Sequence, residues 1–293
     1  MEETSVKQES KLSKYLKLLF KLVVTVLCFW YISKKIDFNA AKDAFLRANW
    51  SWLFLAITLL VLSKIFSALR LNIYFRSIQI HLSTWKNLKL YWLGMFYNLF
   101  LPGSISGDAY KVVLLKRKYN SSYKKLSAAV LLDRFSGLIA LSLIMCLYGV
   151  IVLDTRLFDS LLIFGSILAI VGLYFLIRFY FKDFIAVFWQ TFFWGLVVQL
   201  TQVVCVYCIL LSLGLSVHQP QWIFIFLIAA VVAVFPISLG GGLGTRELVF
   251  VEGAKFFHID PQVSLVISLL FYLSTVIASL WGIYFVFHDP LKK

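Results

Sequence analysis

Six stretches of this chain hold enough consecutive apolar residues to cross a hydrocarbon core, which takes about 20 residues of helix. They run from Leu16 to Ser33, Trp52 to Leu69, Ser127 to Leu153, Ser160 to Phe179, Ile185 to Leu213 and Gln262 to Phe287. A soluble fold has nowhere to put that much apolar surface. Of the 293 residues, 61% are hydrophobic and 14% charged, against about 45 to 50% and about 25% in globular domains. The composition excludes a soluble enzyme, a nucleic-acid-binding domain and a disordered regulator, and predicts an all-α integral membrane protein. Lys and Arg outnumber Asp and Glu by 28 to 14. In a membrane chain that excess first marks cytoplasmic loops and only second suggests anionic ligands.

Two further apolar stretches are shorter and interrupted by Pro and Gly, Tyr91 to Lys118 and Trp222 to Phe257. Each reads as an apolar helix, a turn and a second short helix. Charge decides whether they cross. Lys7, Lys11, Lys14, Lys17 and Lys21 hold the N-terminus in the cytoplasm, and the first helix is read as retained rather than cleaved. Arg70, Arg76, Lys86 and Lys89 mark a cytoplasmic loop after the second helix. Lys111, Lys116, Arg117, Lys118, Lys124 and Lys125 then mark the segment after the first broken stretch as cytoplasmic too. That stretch starts and ends on one side, which makes it re-entrant.

The loops Asp154 to Asp159 and Gly214 to Gln221 carry no positive excess and read as external, whereas Arg178, Lys182, Lys292 and Lys293 read as internal. With the second broken stretch re-entering from outside, every assignment agrees and both termini are cytoplasmic. The single membrane domain 1–293 then divides into pseudo-repeats of about 14–155 and 156–290, each ordered helix, helix, re-entrant hairpin, helix, in opposite orientations. In such inverted-topology repeats, paired Pro/Gly-broken segments point to a transport site near the midplane. Pro102-Gly-Ser104-Ile-Ser-Gly107 can be laid over Pro236-Ile-Ser238-Leu-Gly-Gly241.

Irregular backbone at membrane depth needs burial in protein or a wet cavity, because hydrocarbon satisfies no N–H or C=O group. A half-helix of about 12 residues rises about 18 Å, which brings its tip to the centre of a core about 30 Å thick. The N-terminus of each return helix then faces the midplane, where its free N–H groups favour a phosphate or carboxylate. Gly241, Gly242 and Gly244 let backbone approach a ligand, Arg246 adds a planar cationic fork, and Glu247 orients or balances it. In the first hairpin, Pro102 and Gly107 shape the turn, with Asp108 as a helix cap and Lys111 one turn on. The plainer readings also stand: glycines that permit tight packing, a cap and nothing more, and an Arg246–Glu247 pair that is only structural.

Asp133 and Arg134 lie inside the span that starts at Ser127, where a lone charge costs about 2.5 kcal/mol or more at full depth, so a pairing or cavity role is expected of them. Lys64 reads as a lysine snorkelling toward the helix end. Gln199 and Gln202 share a helix face, with interhelical bonding and cavity lining both open. Tryptophans near segment ends, among them Trp50, Trp85, Trp189, Trp222 and Trp281, fit an interfacial belt or core packing. Cys28, Cys146, Cys205 and Cys208 lie in apolar runs and the four histidines scatter near segment ends, so no disulfide framework, metal or cofactor is expected.

At NLFLPGSISGDAYK, LLDRFSGL and PISLGGGLGTREL the sequence resembles the transmembrane region of the lysylphosphatidylglycerol synthase family over nearly the whole chain. The matching positions are Gly241-Gly-Leu-Gly-Thr-Arg246-Glu247 and Asp133-Arg134. The resemblance implies a flippase module, which in fused members moves aminoacylated phospholipid between leaflets. The soluble aminoacyl transferase domain of those members has no counterpart up to Lys293, so synthase activity is not expected.

The leading expectation is a lipid flippase or scramblase of the cytoplasmic membrane. Its partner would be an anionic or aminoacylated phospholipid or a polyprenyl-phosphate-linked glycan, and not a nucleic acid. The alternatives are a non-transporting subunit that anchors a separate lipid- or glycan-modifying enzyme, and an embedded lipid phosphate enzyme. The latter would need a poised nucleophile or base, and the sequence offers no Ser/His/Asp set, HExxH or Asp pair. Without a Walker A motif, direct ATP drive is not expected.

Overall fold

The computed structural model describes residues 38–100, 105–119, 121–153, 155–235 and 241–292, together with isolated positions between 16 and 30. The first expected span, Leu16 to Ser33, and the turn residues Pro102, Ser104, Pro236 and Ser238 therefore lie outside the continuously described residues. The described residues are helical throughout, in the order α1 (Phe38–Leu46), α2 (Trp50–Ser77), α3 (Thr84–Phe100), α4 (Ser106–Tyr119), α5 (Tyr123–Leu153), α6 (Arg156–Tyr180), a 3-10 turn (Lys182–Val187), α7 (Phe188–Ser212), α8 (Pro220–Val234), α9 (Thr245–Phe256), α10 (Pro261–Leu280), a 3-10 turn (Trp281–Ile283) and α11 (Tyr284–Phe287). Among the described residues, five helical segments are long and apolar enough to cross a membrane: Trp50–Ser77, Tyr123–Leu153, Arg156–Tyr180, Lys182–Ser212 and Pro261–Phe287.

The ends of these elements follow from local chemistry. Asn49 starts α2 by accepting the Ser51 N–H at 3.0 Å. Asp260 starts α10 by accepting from Gln262 and Val263, with Pro261 in the first turn, where no N–H partner is needed. Two expected boundaries move. The apolar run predicts a second span ending at Leu69, but the helix continues to Ser77, because Arg70 pairs with Asp133 of α5 and is buried within the packed helices. The last span breaks at Trp281–Ile283. There a side chain on Gly282 would collide with the Trp92 carbonyl, so α3 crosses at the break with backbone nearly touching backbone.

Apolar packing falls into two cores. One gathers Leu53, Ala56 and Leu60 of α2, Leu141 and Ile144 of α5, Val206 and Ile209 of α7, Trp222 and Phe226 of α8, Phe250 of α9 and Ile267 of α10. The other gathers Leu71, Tyr74 and Phe75 of α2, Leu90 of α3, Leu115 of α4, Ala129 and Leu132 of α5, Ile177 of α6, and Phe184 and Phe188. Long helices α2, α5 and α7 run through both, and α2 and α7 form the most extensive helix pair. Helices α3 and α4 pair with each other and join the second core, whereas α8 and α9 pair with each other and join the first.

Helix α6 fully buries only Leu173 and Ile177 and packs Ile170 and Tyr174 partly on the second core, while Leu157, Phe164, Leu168 and Phe179 stay exposed, as on a lipid-facing helix. Among the tryptophans, Trp50, Trp85, Trp189 and Trp281 are exposed, but Trp222 is 2% exposed and packs in the first core.

Candidate functional site

Between the two cores lies a polar layer. In it α2 carries Ser63, Lys64, Ser67 and Arg70, α5 carries Asp133, Arg134 and Gly137, and α7 carries Gly195, Gln199 and Gln202. Of these, Lys64, Ser67, Arg70, Arg134, Gly137, Gln199 and Gln202 border a cavity of about 310 Å³, at the lower end of the sizes that hold small ligands. Its wall is completed by Tyr91, Asn98 and Leu99 of α3, Ala233 and Val234 at the end of α8, Gly241, and Thr275 and Ser279 of α10. The C-terminal end of α3 and Gly241, which precedes α9, meet here. The Leu99 side chain is 3.6 Å from where a side chain on Gly241 would begin.

Ion pairs hold the cavity wall together. Arg70 donates from Nε to Asp133 Oδ1 at 2.7 Å, joining α2 to α5, and both groups are buried, at 5% and 7% exposure. Arg134, next to Asp133 in sequence, donates instead to Asp108 of α4. Lys111 reaches the other oxygen of Asp108 at 2.9 Å, and its ammonium sits 4.5 Å from the centre of the Tyr91 ring. Asp133 is thus paired behind the wall, whereas Arg134 is paired and also lines the cavity. Asp108 does more than cap a helix, because it bridges α4 to α5 through Arg134.

Glycines make room for this arrangement. A side chain on Gly107 would collide with the Gly94 carbonyl, and one on Gly94 would collide with the Lys111 stem. The α3–α4 crossing therefore depends on two bare backbones, and the Gly107 N–H is fixed by Asn98 Oδ1 at 2.9 Å. A methyl group on Gly137 would stand 3.0 Å from Nη1 and 3.1 Å from Nη2 of Arg70. One on Gly195 would stand 3.3 Å from the same Nη1.

In the second broken stretch, Gly241, Gly242 and Gly244 take φ of +71°, +100° and +86°, a region that L side chains avoid. Glu247 Oε2 accepts the Gly244 N–H at 2.7 Å and its other oxygen accepts from Ser268 Oγ at 2.9 Å. Arg246 points at α10. It donates to the Ser268 carbonyl at 3.0 Å, lies 3.4 Å from Glu247, and stands over the Phe271 and Tyr272 rings at 5.4 and 5.3 Å. Of the expected site residues, the structure brings Arg134 and Gly241 to the cavity wall, sets Asp108, Lys111 and Asp133 directly behind it, and turns Arg246 and Glu247 toward α10. Pro102 lies outside the described residues.

Lys64 and Arg70 are the cavity cations that the sequence reading missed. Sequence position suggests snorkelling for Lys64 and a loop for Arg70, yet both line the cavity. Their signal was spacing, since Lys64, Ser67 and Arg70 recur every third residue and share one helix face. Gln199 takes both readings left open for it, bordering the cavity and donating to the Gly137 carbonyl at 3.2 Å. Cys205 and Cys208 are buried in the first core, and the described residues hold no group of three His, Cys, Asp or Glu side chains suited to a metal.

A buried layer with three cationic side chains on its wall is a chemical environment for an anion. Comparisons with known proteins agree on the class of molecule. A UPF0104 membrane protein of Pyrococcus horikoshii is 27% identical over 138 residues, which cover 46% of this chain and 40% of that protein. The chain thus spans less than half of that relative's length. The family described as the lysylphosphatidylglycerol synthase transmembrane region matches residues 18–189 and 182–282, and with nearly the whole sequence accounted for, the chain belongs to that family.

Proposed function

We propose that the protein moves lipids with anionic headgroups between leaflets, the headgroup passing through the cavity while the acyl chains stay in the bilayer, and that it transports its lipid without altering it chemically. The observation that carries this reading is the polar, cation-lined cavity that the ends of α3 and α8 and Gly241 border between two apolar cores. Family membership supports a membrane lipid as the cargo.

In this reading the α3–α4 and α8–α9 hairpins are re-entrant from opposite faces and belong to an inverted repeat. The packing order supports it: α4 packs on α5 as α9 packs on α10, α3 meets α10 as α8 meets α5, and α2 and α7 face each other. The orientation has support as well. Lys125 pairs with Asp183 at 2.8 Å and Lys118 donates to the Leu291 carbonyl, so basic loops gather at the end of the molecule that holds the second core. That end is assigned to the cytoplasm, with both termini.

An anionic headgroup crossing bare hydrocarbon faces a barrier of several kcal/mol or more. Fixed cations and water in the cavity lower it by replacing the hydration that the headgroup loses. Purified protein in liposomes should accordingly accelerate leaflet exchange of a fluorescent phosphatidylglycerol or its aminoacylated form. Exchange no faster than in protein-free liposomes, over a panel of headgroups and with an ion gradient imposed, would sink the transport reading and leave a subunit that anchors a lipid-modifying enzyme.

A further inference from the structure

The charge around the cavity is unbalanced. Lys64, Arg70, Lys111 and Arg134 carry four positive charges, and the carboxylates that face them are Asp108 and Asp133, an excess of two among the described residues. Arg246 does not change the count, because Glu247 accompanies it on α10. Uncompensated charge in a water-poor layer is costly to hold, so the arrangement favours a ligand that brings two negative charges.

The excess has a defined place. Asp133 occupies only the Nε edge of Arg70, and the buried Nη1 of the same guanidinium has no hydrogen-bond partner. Gly137 of α5 and Gly195 of α7 flank that nitrogen, and a side chain at either would crowd it. Two turns earlier on the same face of α2, Lys64 borders the cavity and makes no hydrogen bond or ion pair with any described residue. An unsatisfied guanidinium edge and an ammonium on one wall suit a tetrahedral anion with several acceptor oxygens.

We infer that Lys64 and Arg70 form a phosphate subsite for a lipid whose headgroup ends in a phosphomonoester. This rests on reading the cavity as a headgroup path and names the headgroup class. A phosphomonoester carries about two negative charges near neutral pH and cancels the excess, whereas a phosphodiester carries one and leaves a cation uncompensated. The shared chemistry, phosphate, is also that of the free ion, so the test needs both.

Thermal unfolding of the purified full chain in mild detergent, titrated with dioleoyl phosphatidic acid, dioleoyl phosphatidylglycerol, dioleoyl phosphatidylcholine or inorganic phosphate, reads the subsite directly. Phosphatidic acid should half-saturate at a concentration about tenfold below that of phosphatidylglycerol, the worth of roughly one additional charge contact. Phosphatidylcholine and inorganic phosphate should shift the midpoint far less. Lys64→Gln should erase the preference for phosphatidic acid, and Lys64→Arg should keep it. Equal response to the two anionic lipids, or a preference that survives Lys64→Gln, overturns the assignment. Inorganic phosphate acting as strongly as phosphatidic acid overturns the lipid part of it. Leaflet exchange in the same proteins keeps the two readings apart: preference without exchange sinks transport alone, and exchange without preference sinks the phosphomonoester subsite alone.

Discussion

Arg70 and Arg246 are both buried to 5% exposure, and their surroundings give them different roles. Arg70 shares one edge with Asp133 and keeps a nitrogen without a partner beside the cavity. Arg246 spends its donors on Ser268 and Glu247 and its planar face on Phe271 and Tyr272. Removing Arg246 leaves Glu247, fully buried, without its cation. Breaking a buried pair in this way costs about 3 to 5 kcal/mol. Arg246→Ala should therefore lower the thermal midpoint markedly, with Arg246→Lys intermediate because the two-pronged fork is lost. An alanine variant as stable as the native protein but unable to exchange lipid would instead return Arg246 to the role of ligand residue that its glycine-rich sequence setting suggested.

Several helix crossings depend on a missing side chain, and the sequence does not distinguish those glycines from the rest. Gly107 touches the Gly94 carbonyl, whereas a side chain on Gly165, on the outward face of α6, would meet nothing within 4 Å. Gly107→Ala forces α3 and α4 apart and should destabilise by about 1 to 3 kcal/mol, as overpacking does. Gly165→Ala adds no contact, raises helix propensity and should be neutral or stabilising by up to about 1 kcal/mol. Thermal denaturation of the two variants tests the difference, and equal effects would mean that the hairpin crossing is looser than its geometry. The same element scale explains α1, which the sequence reading passed over. It is a nine-residue helix packed on α10, too short for its apolar residues to mark a span.

Across the whole molecule, Lys116 and Lys182 lie at the end that holds the second core, and Ser216 and His258 follow helices that end beside the first. Single cysteines at Lys116 and Lys182 should react with an impermeant maleimide only from the cytoplasmic side of oriented vesicles, and those at Ser216 and His258 only from the other. Labelling of Lys116 from outside would make α3–α4 a true crossing and remove the inverted repeat. Much of this plan was legible in the sequence, because apolar length, Pro/Gly interruption and basic loops are local and additive signals. They determined the membrane class, the helix order, the two broken stretches and the Asp133-Arg134 motif. Only the tertiary structure decided which side chains meet. Helices that are apolar nearly all round carry no periodicity to say which face turns inward, and on α2 only the spacing of Lys64, Ser67 and Arg70 marks a shared face. Arg70 looked like a membrane boundary because its counter-charge, Asp133, lies 63 residues away in sequence. Long-range packing alone brings that carboxylate to the guanidinium, leaves Lys64 and one edge of Arg70 facing the cavity, and gives Arg246 to α10.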